Sequence, residues 1–183
     1  METELEKLLT SSYKDGMISF MESHPESFDE AFELALVDKQ PLSWRAAWLL
    51  WSCLKENDER IKKYTGRIIS GIKSKNDGHQ RELLKILLLT NLNKTNEGLL
   101  FDLCMDIWEQ INKDPSVRYT ALKMISKIAG RHPELKEEIK FLAREEFRET
   151  LSPGIKKVID RMMDEFNNSS LKKKKTEGRR KKQ

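Results

Sequence analysis

Residues 114–129 read DPSVRYTALKMISKIA, which is the pattern of a helix together with its start signal. Aspartate caps helices well and proline suits the first helical position, so Asp114-Pro115 predicts where the helix begins. Behind this start, apolar residues recur at the spacing of three and four that is typical of one buried helix side. They are Ala121, Leu122, Ile125, Ile128 and Ala129.

The same apolar stripe recurs about every 37 residues in both directions along the chain. The equivalent residues are Ala46, Ala47, Leu50, Cys53 and Leu54; Leu83, Leu84, Leu87, Thr90 and Asn91; and, further on, Val158, Ile159, Met162, Glu165 and Phe166. A period of this length is typical of stacked helical hairpins, because one two-helix unit cannot bury its apolar stripe alone. We therefore predict an all-α fold built from repeated hairpins.

Start signals predict further helices between these stripes. Three less regular helices are expected around Leu5–Leu9, Met17–Met21 and Phe28–Val37, which together fit an atypical capping repeat. Other helices are predicted to begin at Asp58, at Asn96, and at the proline steps His132-Pro133 and Ser152-Pro153. In the helix after Asn96 we expect an apolar stripe of Leu99, Leu100, Leu103, Cys104, Ile107, Trp108 and Ile111. No stretch alternates with period two over the length of a strand, so no sheet is expected.

The helix at 114–129 resembles the second helix of a HEAT repeat, with Asp-Pro at the turn, Val117-Arg118 next and Ala121-Leu122 facing the partner helix. The chain is similar to small bacterial HEAT-like proteins over about residues 1–166, including the segments RAAW at 45–48 and LCMD at 103–106. The resemblance implies a right-handed α-α superhelix, a HEAT-like solenoid of about four helical hairpins, whose second helices line a concave face. We expect Arg118 to pair with Asp114 or with an acidic residue of a neighbouring repeat.

The second helices carry aromatic and cationic residues at equivalent positions, which would form rows across the concave face. The candidate partner-binding residues are Trp44, Trp48, Arg81, Lys85, Tyr119 and Lys123. Aromatic rings interleaved with cations suit an acidic peptide segment, or phosphates with stacked bases. Two alternatives stay open. Trp44, Trp48 and Trp51 also have the spacing of a stripe that packs against other helices. The cations also fit an ordinary solvent-exposed helix side. Trp48 is the best candidate for exposure, because its equivalents in the next two repeats are both lysine.

Positive charge is concentrated at the C-terminal end of the chain. The whole sequence has 34 Lys and Arg against 30 Asp and Glu, but residues 167–183 hold eight of the basic residues and one Glu, which leaves residues 1–166 slightly acidic. This segment lacks the apolar residues needed to fold, so we predict a disordered basic tail. The tail could contact nucleic acid in a salt-sensitive way, or act only to keep the protein in solution. Its candidate contact residues are Lys172, Lys173, Lys174, Lys175, Arg179 and Arg180.

Catalytic motifs are missing from the sequence. No HExxH, CxxC, GxSxG or phosphate-binding glycine pattern occurs, and His24, His79 and His132 are far apart along the chain. Cys53 and Cys104 fall in apolar stripes and fit core residues in a reducing compartment. We expect no enzyme activity, no cofactor and no metal. The acidic N-terminus has no apolar core of a secretion signal, and the expected location is cytoplasmic.

The leading functional hypothesis is a non-catalytic scaffold or interaction module that binds a segment of a partner protein on the concave face. The alternative is a nucleic-acid-binding protein, either of the HEAT-like DNA-repair type or through contacts made by the tail. The identity of the partner and the oligomeric state are left open by the sequence.

Overall fold

The computed structural model describes residues 2–164, apart from the side chains of residues 133, 136 and 137, and every regular element in this range is helical. Phe166 and the predicted tail at 167–183, with its candidate contact residues, lie outside the described residues. The chain divides into two compact units, one ending at Leu100 and the other beginning at Phe101. The all-α prediction is confirmed. Among the described helices, none is long and apolar enough to span a membrane.

The first unit begins with the three helices that were expected from the N-terminal sequence. Its helices are α1 (Glu4–Ser11), α2 (Lys14–Ser23), α3 (Phe28–Leu36), α4 (Leu42–Cys53), α5 (Thr65–Ile72) and α6 (Asp77–Leu88), followed by the start of α7 (Lys94–Glu109). Thr3 and Glu6 form a capping box at the start of α1, and the Asn76 side chain caps α6. These side chains satisfy backbone N–H groups that have no partner within the first turn of a helix.

Helix α4 is the central helix of the first unit, because it packs against α3 and α6 and also contacts α1 and α2. Its Ser43, Ala46 and Ala47 are completely buried, and side chains this small allow neighbouring helices to approach closely. Leu49 and Leu50 are also completely buried, so α4 is apolar on more than one side, as expected for a helix with several neighbours. The burial predicted from the repeat is thus confirmed for Ala46, Ala47, Leu50 and Leu54, whereas the predicted burial of Cys53 is wrong, because this residue is only half-buried at the end of α4.

Three predicted helix starts are wrong by a few residues. After His132 a 3-10 turn, Pro133–Leu135, comes before the α-helix that begins at Lys136. The Asp58 side chain caps a short 3-10 turn, Glu59–Ile61, and α5 begins only at Thr65. At α7, the side chain of Asn93 rather than Asn96 accepts a hydrogen bond, from the Asn96 N–H at 2.8 Å, and the helix begins at Lys94. In the segments around Asp58 and Asn96 several polar residues offer a cap, and spacing alone does not select among them.

The apolar stripe of α7 is narrower than the sequence predicted. Leu100, Cys104 and Trp108 are completely buried, but Leu99 is 56% exposed and Ile111 is 44% exposed. Ile111 lies beyond Glu109, where α7 ends, and so no longer follows the helical period. Leu99 precedes Leu100 by one residue, about 100° around the helix, which turns it away from the buried side.

The second unit contains the end of α7, α8 (Pro115–Ala129), α9 (Lys136–Leu142), α10 (Glu145–Arg148) and α11, which begins at residue 153 and is described to residue 164. The predicted start of α8 is confirmed, because Asp114 Oδ1 accepts a hydrogen bond from the Ser116 N–H at 2.7 Å and Pro115 is the first helical residue. The helix buries the predicted stripe, which consists of Ala121, Leu122, Ile125, Ile128 and Ala129.

Arg118 is a completely buried cation in the second unit, and the prediction that it pairs with an acidic residue is wrong. Its guanidinium donates from Nε to the Trp108 carbonyl at 2.9 Å, from Nη1 to Thr150 Oγ1 at 2.9 Å, and from Nη2 to the Phe147 carbonyl. It also lies 4.9 Å from the centre of the Trp108 ring. All three acceptors are neutral, and burial lowers the pKa of the guanidinium from its ordinary value. Arg118 therefore joins α8 to the end of α7 and to the residues after α9.

We expect Ala47→Leu to destabilise the protein by about 1–3 kcal/mol, because α4 has no room for a larger side chain between its neighbours. The free energy of unfolding in urea measures this effect. Leucine in place of Ser70, which is exposed on α5, is the control and should change stability little. Equal stability of Ala47→Leu and the parent protein would show that α4 is not closely packed.

Arg118→Met should cost about 2–4 kcal/mol, because it leaves buried carbonyl oxygens without a donor. Chemical unfolding followed by circular dichroism measures the loss. Arg161→Met removes a cation of the same kind from an exposed position on α11 and should be nearly neutral. If the two variants were equally stable, the buried hydrogen bonds of Arg118 would not support the second unit.

Candidate interaction site

A groove of about 450 Å³ opens between the α1–α2 connection and helix α4 in the first unit. Two of the predicted site residues, Trp44 and Trp48, meet in it. The sequence did not predict the other aromatic or the two cationic residues of the groove, which are Tyr13, Lys14 and Arg45. The remaining lining residues are Thr10, Ser11, Ser12 and Met17.

Local backbone structure explains why aromatic rings reach this groove. Ser12 ends α1 and Tyr13 precedes α2, and both have extended backbone conformations, so two non-helical residues connect the two helices. Tyr13 is consequently 92% exposed. Trp44 and Trp48 are one turn apart on α4 and point to the same side of it. Trp44 is 37% exposed and Trp48 is half-buried, so the more exposed of the two is Trp44 and not Trp48, which the sequence had favoured.

Arg45 forms part of the groove wall and is half-buried. Its Nη2 donates to the Ser12 carbonyl at 3.0 Å and lies 3.6 Å from the Met17 sulfur. Its Nε is enclosed and has no hydrogen-bond partner among the described residues. The guanidinium thus ties the α1–α2 connection to α4 through neutral atoms, and its positive charge remains at the groove.

Arg81 and Lys85, also predicted as site residues, lie together on α6 around the carboxylate of Glu82. Glu82 is completely buried, and its oxygens accept from Arg81 Nε at 2.8 Å and from Lys85 Nζ at 3.1 Å. The Lys85 ammonium also lies 4.3 Å from the centre of the Trp51 ring. The two cations are therefore half-buried and engaged with the protein itself, which differs from the solvated helix side left open by the sequence.

The signal that could have identified Glu82 is an acidic residue placed next to the apolar stripe Leu83, Leu84 and Leu87, with Lys85 three residues after it. A helix brings residues three apart onto the same side, which favours this ion pair. A carboxylate buried without such partners would be costly. The predicted rows contain Arg81 and Lys85 but not Glu82, so the sequence pattern indicated only the two cations.

Tyr119 and Lys123 belong to α8 in the second unit. Tyr119 is half-buried, Lys123 is exposed, and the Lys123 ammonium lies 4.8 Å from the centre of the Tyr119 ring. The structure thus brings these two predicted residues together as a local pair. That they share one surface with Trp44 and Trp48 stays a prediction.

The contacts of His79 are those of a buried structural residue and not those of a catalytic acid or base. It is completely buried on α6, with Nε2 2.8 Å from the Ala35 carbonyl and Nδ1 3.1 Å from the Gln40 side-chain nitrogen. The neutral ring satisfies both contacts by donating from Nε2 and accepting at Nδ1. Burial lowers the pKa of His79 from its ordinary value. Within the described part of the chain, no three His, Cys, Asp or Glu residues are grouped to hold a metal ion.

The two cysteines differ in their burial. Cys104 is completely buried, which raises the pKa of its thiol far above the usual range, and this confirms its assignment to the core. Cys53 is only half-buried, and desolvation raises its pKa as well. Both thiols are free. Thiolate is the reactive form of cysteine, so neither environment favours reactivity at neutral pH.

Comparison with known protein families agrees with this helical architecture. A profile described as a HEAT repeat domain matches residues 1–166. The chain belongs to the HEAT repeat family. The resemblance inferred from the Asp114-Pro115 helix is thereby confirmed over the whole predicted body. HEAT repeats generally mediate interactions between proteins, and the family is typically non-catalytic. Searches of curated proteins and of solved structures gave no match for this HEAT repeat domain.

The stability of the HEAT repeat domain should fall as the pH is lowered below about 6.5, the ordinary pKa of histidine. Because the pKa of His79 is lowered in the folded state, the unfolded chain takes up the proton first. The contribution of His79 to the free energy of unfolding is complete above pH 6.5. As the pH falls further, it decreases by about 1.4 kcal/mol per pH unit until the pH reaches the pKa of His79 in the folded state.

Urea unfolding at pH 7.5 and 5.5 measures this slope. The variant His79→Gln should show a smaller loss than the parent protein, while His24→Gln, altered at a half-buried residue, is the control. The same pH dependence in parent and His79→Gln proteins would contradict the assignment.

Proposed function

We propose that this HEAT repeat domain is a non-catalytic interaction module of the cytoplasm that holds a segment of a partner protein against helices α4 and α6. One observation carries the proposal: Tyr13, Trp44 and Trp48 line an open groove in which Tyr13 is exposed and the two tryptophans are only partly buried. Large aromatic side chains are mostly buried in folded domains, and those left open at a groove are typical of binding sites. Trp and Tyr also supply much of the binding energy at protein interfaces.

The tryptophans of α4 lead from the groove towards α6. Trp44 and Trp51 are seven residues apart, which corresponds to about 10 Å along a helix. Trp51 is next to the Lys85 ammonium, which in turn contacts Glu82. A partner segment in extended conformation could therefore contact Trp44, Trp48 and Trp51 in succession and reach the polar edge of α6. We propose that Tyr119 and Lys123 form a separate contact point for the partner on the second unit.

The pairing around Glu82 supports a protein partner over a nucleic acid on this surface. Binding along a nucleic acid depends on several cations that neutralise successive phosphates. On α6, Arg81 and Lys85 already share the charge of a buried carboxylate, which reduces the positive charge that they offer to a ligand. The nucleic-acid alternative therefore rests mainly on the tail, which lies outside the described residues.

The variant Trp44→Ala/Trp48→Ala should lose peptide binding by roughly 30-fold or more, because truncating central aromatic residues typically costs at least 2 kcal/mol. The measurement uses a displayed library of random dodecapeptides, selected on the immobilised full chain and then titrated against the variant. Phe141→Ala, which removes an aromatic residue of comparable exposure from the second unit, is the matched control.

The contacts of Lys85 on α6 determine which substitution of this residue preserves the fold. Lys85→Glu would place a second carboxylate beside buried Glu82 and disturb the fold, whereas Lys85→Arg keeps a cation beside both Glu82 and the Trp51 ring. Thermal unfolding of each variant separates loss of binding from loss of structure. Peptides that bind the parent protein and the double tryptophan variant equally would reject this surface. Single-stranded DNA retained by the parent protein but not by that variant would favour the nucleic-acid alternative.

A further inference from the structure

The described charged residues that line the groove beside α4 are all positive. Two of its described lining residues, Lys14 and Arg45, are cationic, and none of them is acidic. The other polar groups of the wall belong to Thr10, Ser11 and Ser12. The Thr10 and Ser11 hydroxyls each donate to the Lys7 carbonyl, at 2.9 and 2.7 Å, so their oxygen lone pairs rather than their protons face outward.

Arg45 makes the positive charge of the groove persistent. A guanidinium does not lose its proton in the physiological range, and this one is half-buried. Its described acceptors are the neutral Ser12 carbonyl and the Met17 sulfur, and its enclosed Nε has no acceptor among the described residues. An opposite charge brought into the groove would be attracted more strongly than in bulk water, because protein surrounds part of the site.

The two cations of the groove differ in their partners from the two cations of α6, which belong to the same unit. Arg81 and Lys85 lie against the completely buried carboxylate of Glu82. No carboxylate among the described lining residues plays that part for Lys14 and Arg45. The comparison indicates that the α6 cations support the fold, whereas the cations of the groove are placed to meet a ligand.

The size of the groove and its aromatic residues limit what the ligand can be. A volume of about 450 Å³ lies in the lower part of the range of known small-molecule pockets, about 300–1,000 Å³, and suits a few residues of a peptide. Tyr13, Trp44 and Trp48 offer ring surfaces for an apolar side chain. Two cations match a single carboxylate, whereas a nucleic acid would present a row of phosphates that needs more cations.

We propose that the groove binds an acidic peptide segment of a partner protein, with an Asp or Glu carboxylate beside Lys14 and Arg45 and a neighbouring apolar side chain against Tyr13, Trp44 and Trp48. This assignment rests on the proposed function and adds the chemistry of the partner. Lys14 begins α2 at the exposed edge of the groove and makes the direct contact with the carboxylate. Arg45 supplies charge from the wall.

Charge reversal at Lys14 tests the proposal. Three dodecapeptide libraries that differ only in a central residue, fixed as Glu, Gln or Lys, are titrated against the full chain in 0.15 M salt. The parent protein should prefer the Glu library over the Lys library by about five- to tenfold, and Lys14→Glu should remove or invert this preference. Lys7→Glu makes the same change of net charge on α1, outside the groove lining, and should leave the preference unchanged.

The basic residues of the tail are present in every variant, so only differences between variants count. A preference for the Glu library that is the same in the parent, Lys14→Glu and Lys7→Glu proteins would overturn the assignment, because the tail or the net charge would then cause it. Peptides that bind through Trp44 and Trp48 without any preference for Glu would also overturn it, but would leave the proposed function intact. If none of the libraries bound in a way that depends on Trp44 and Trp48, both the acidic-peptide assignment and the proposed function would be rejected. Binding of a single-stranded DNA 20-mer that is lost in Trp44→Ala/Trp48→Ala would show that the ligand is a nucleic acid.

Discussion

The close packing of α4 is the constraint on which the first unit depends. Four helices contact α4, and its completely buried Ser43, Ala46 and Ala47 leave only short distances between helix backbones. Close-packed interiors respond to the addition of single methylene groups, so the sequence of this helix has little freedom on its buried sides. The three tryptophans of α4 consequently lie on its less buried sides. Trp44 and Trp48 occupy such positions, and packing thereby fixes where they point.

Buried charge in both units is held by specific hydrogen-bond and ion-pair partners rather than by the apolar stripes. Glu82 contacts two cations of its own helix, and Arg118 donates to neutral oxygen atoms of three other residues. Breaking either arrangement would leave a buried polar group without a partner, which costs more than the interaction itself contributes. These groups restrict how α6 and α8 can pack, and a repeat defined by apolar residues alone would not impose that restriction.

The sequence predicted the helices well because their signals are local. The cap at Asp114, the proline at 115 and the stripe from Ala121 to Ala129 are all read within one helix, and each is present in the structure. The partners of Arg118 could not be predicted in this way, since Phe147 and Thr150 follow it by about 30 residues and meet it only after folding. For the same reason the sequence identified Trp44 and Trp48 but missed Tyr13 and Lys14, which reach the groove from a different helix pair.

The groove occurs where the regular repeat gives way to shorter helices. Helices α1 and α2 contain eight and ten residues, whereas α4 contains twelve. The connection at Ser12 and Tyr13 lies beside Trp44 and Trp48, so neither α1 nor α2 covers them completely. Within a repeat array an apolar stripe is normally buried by the neighbouring hairpin. Beside α4, the helices α1 and α2 leave aromatic rings and two cations at an open surface. An exposed tyrosine and a partly exposed tryptophan in one groove argue for a surface adapted to a ligand.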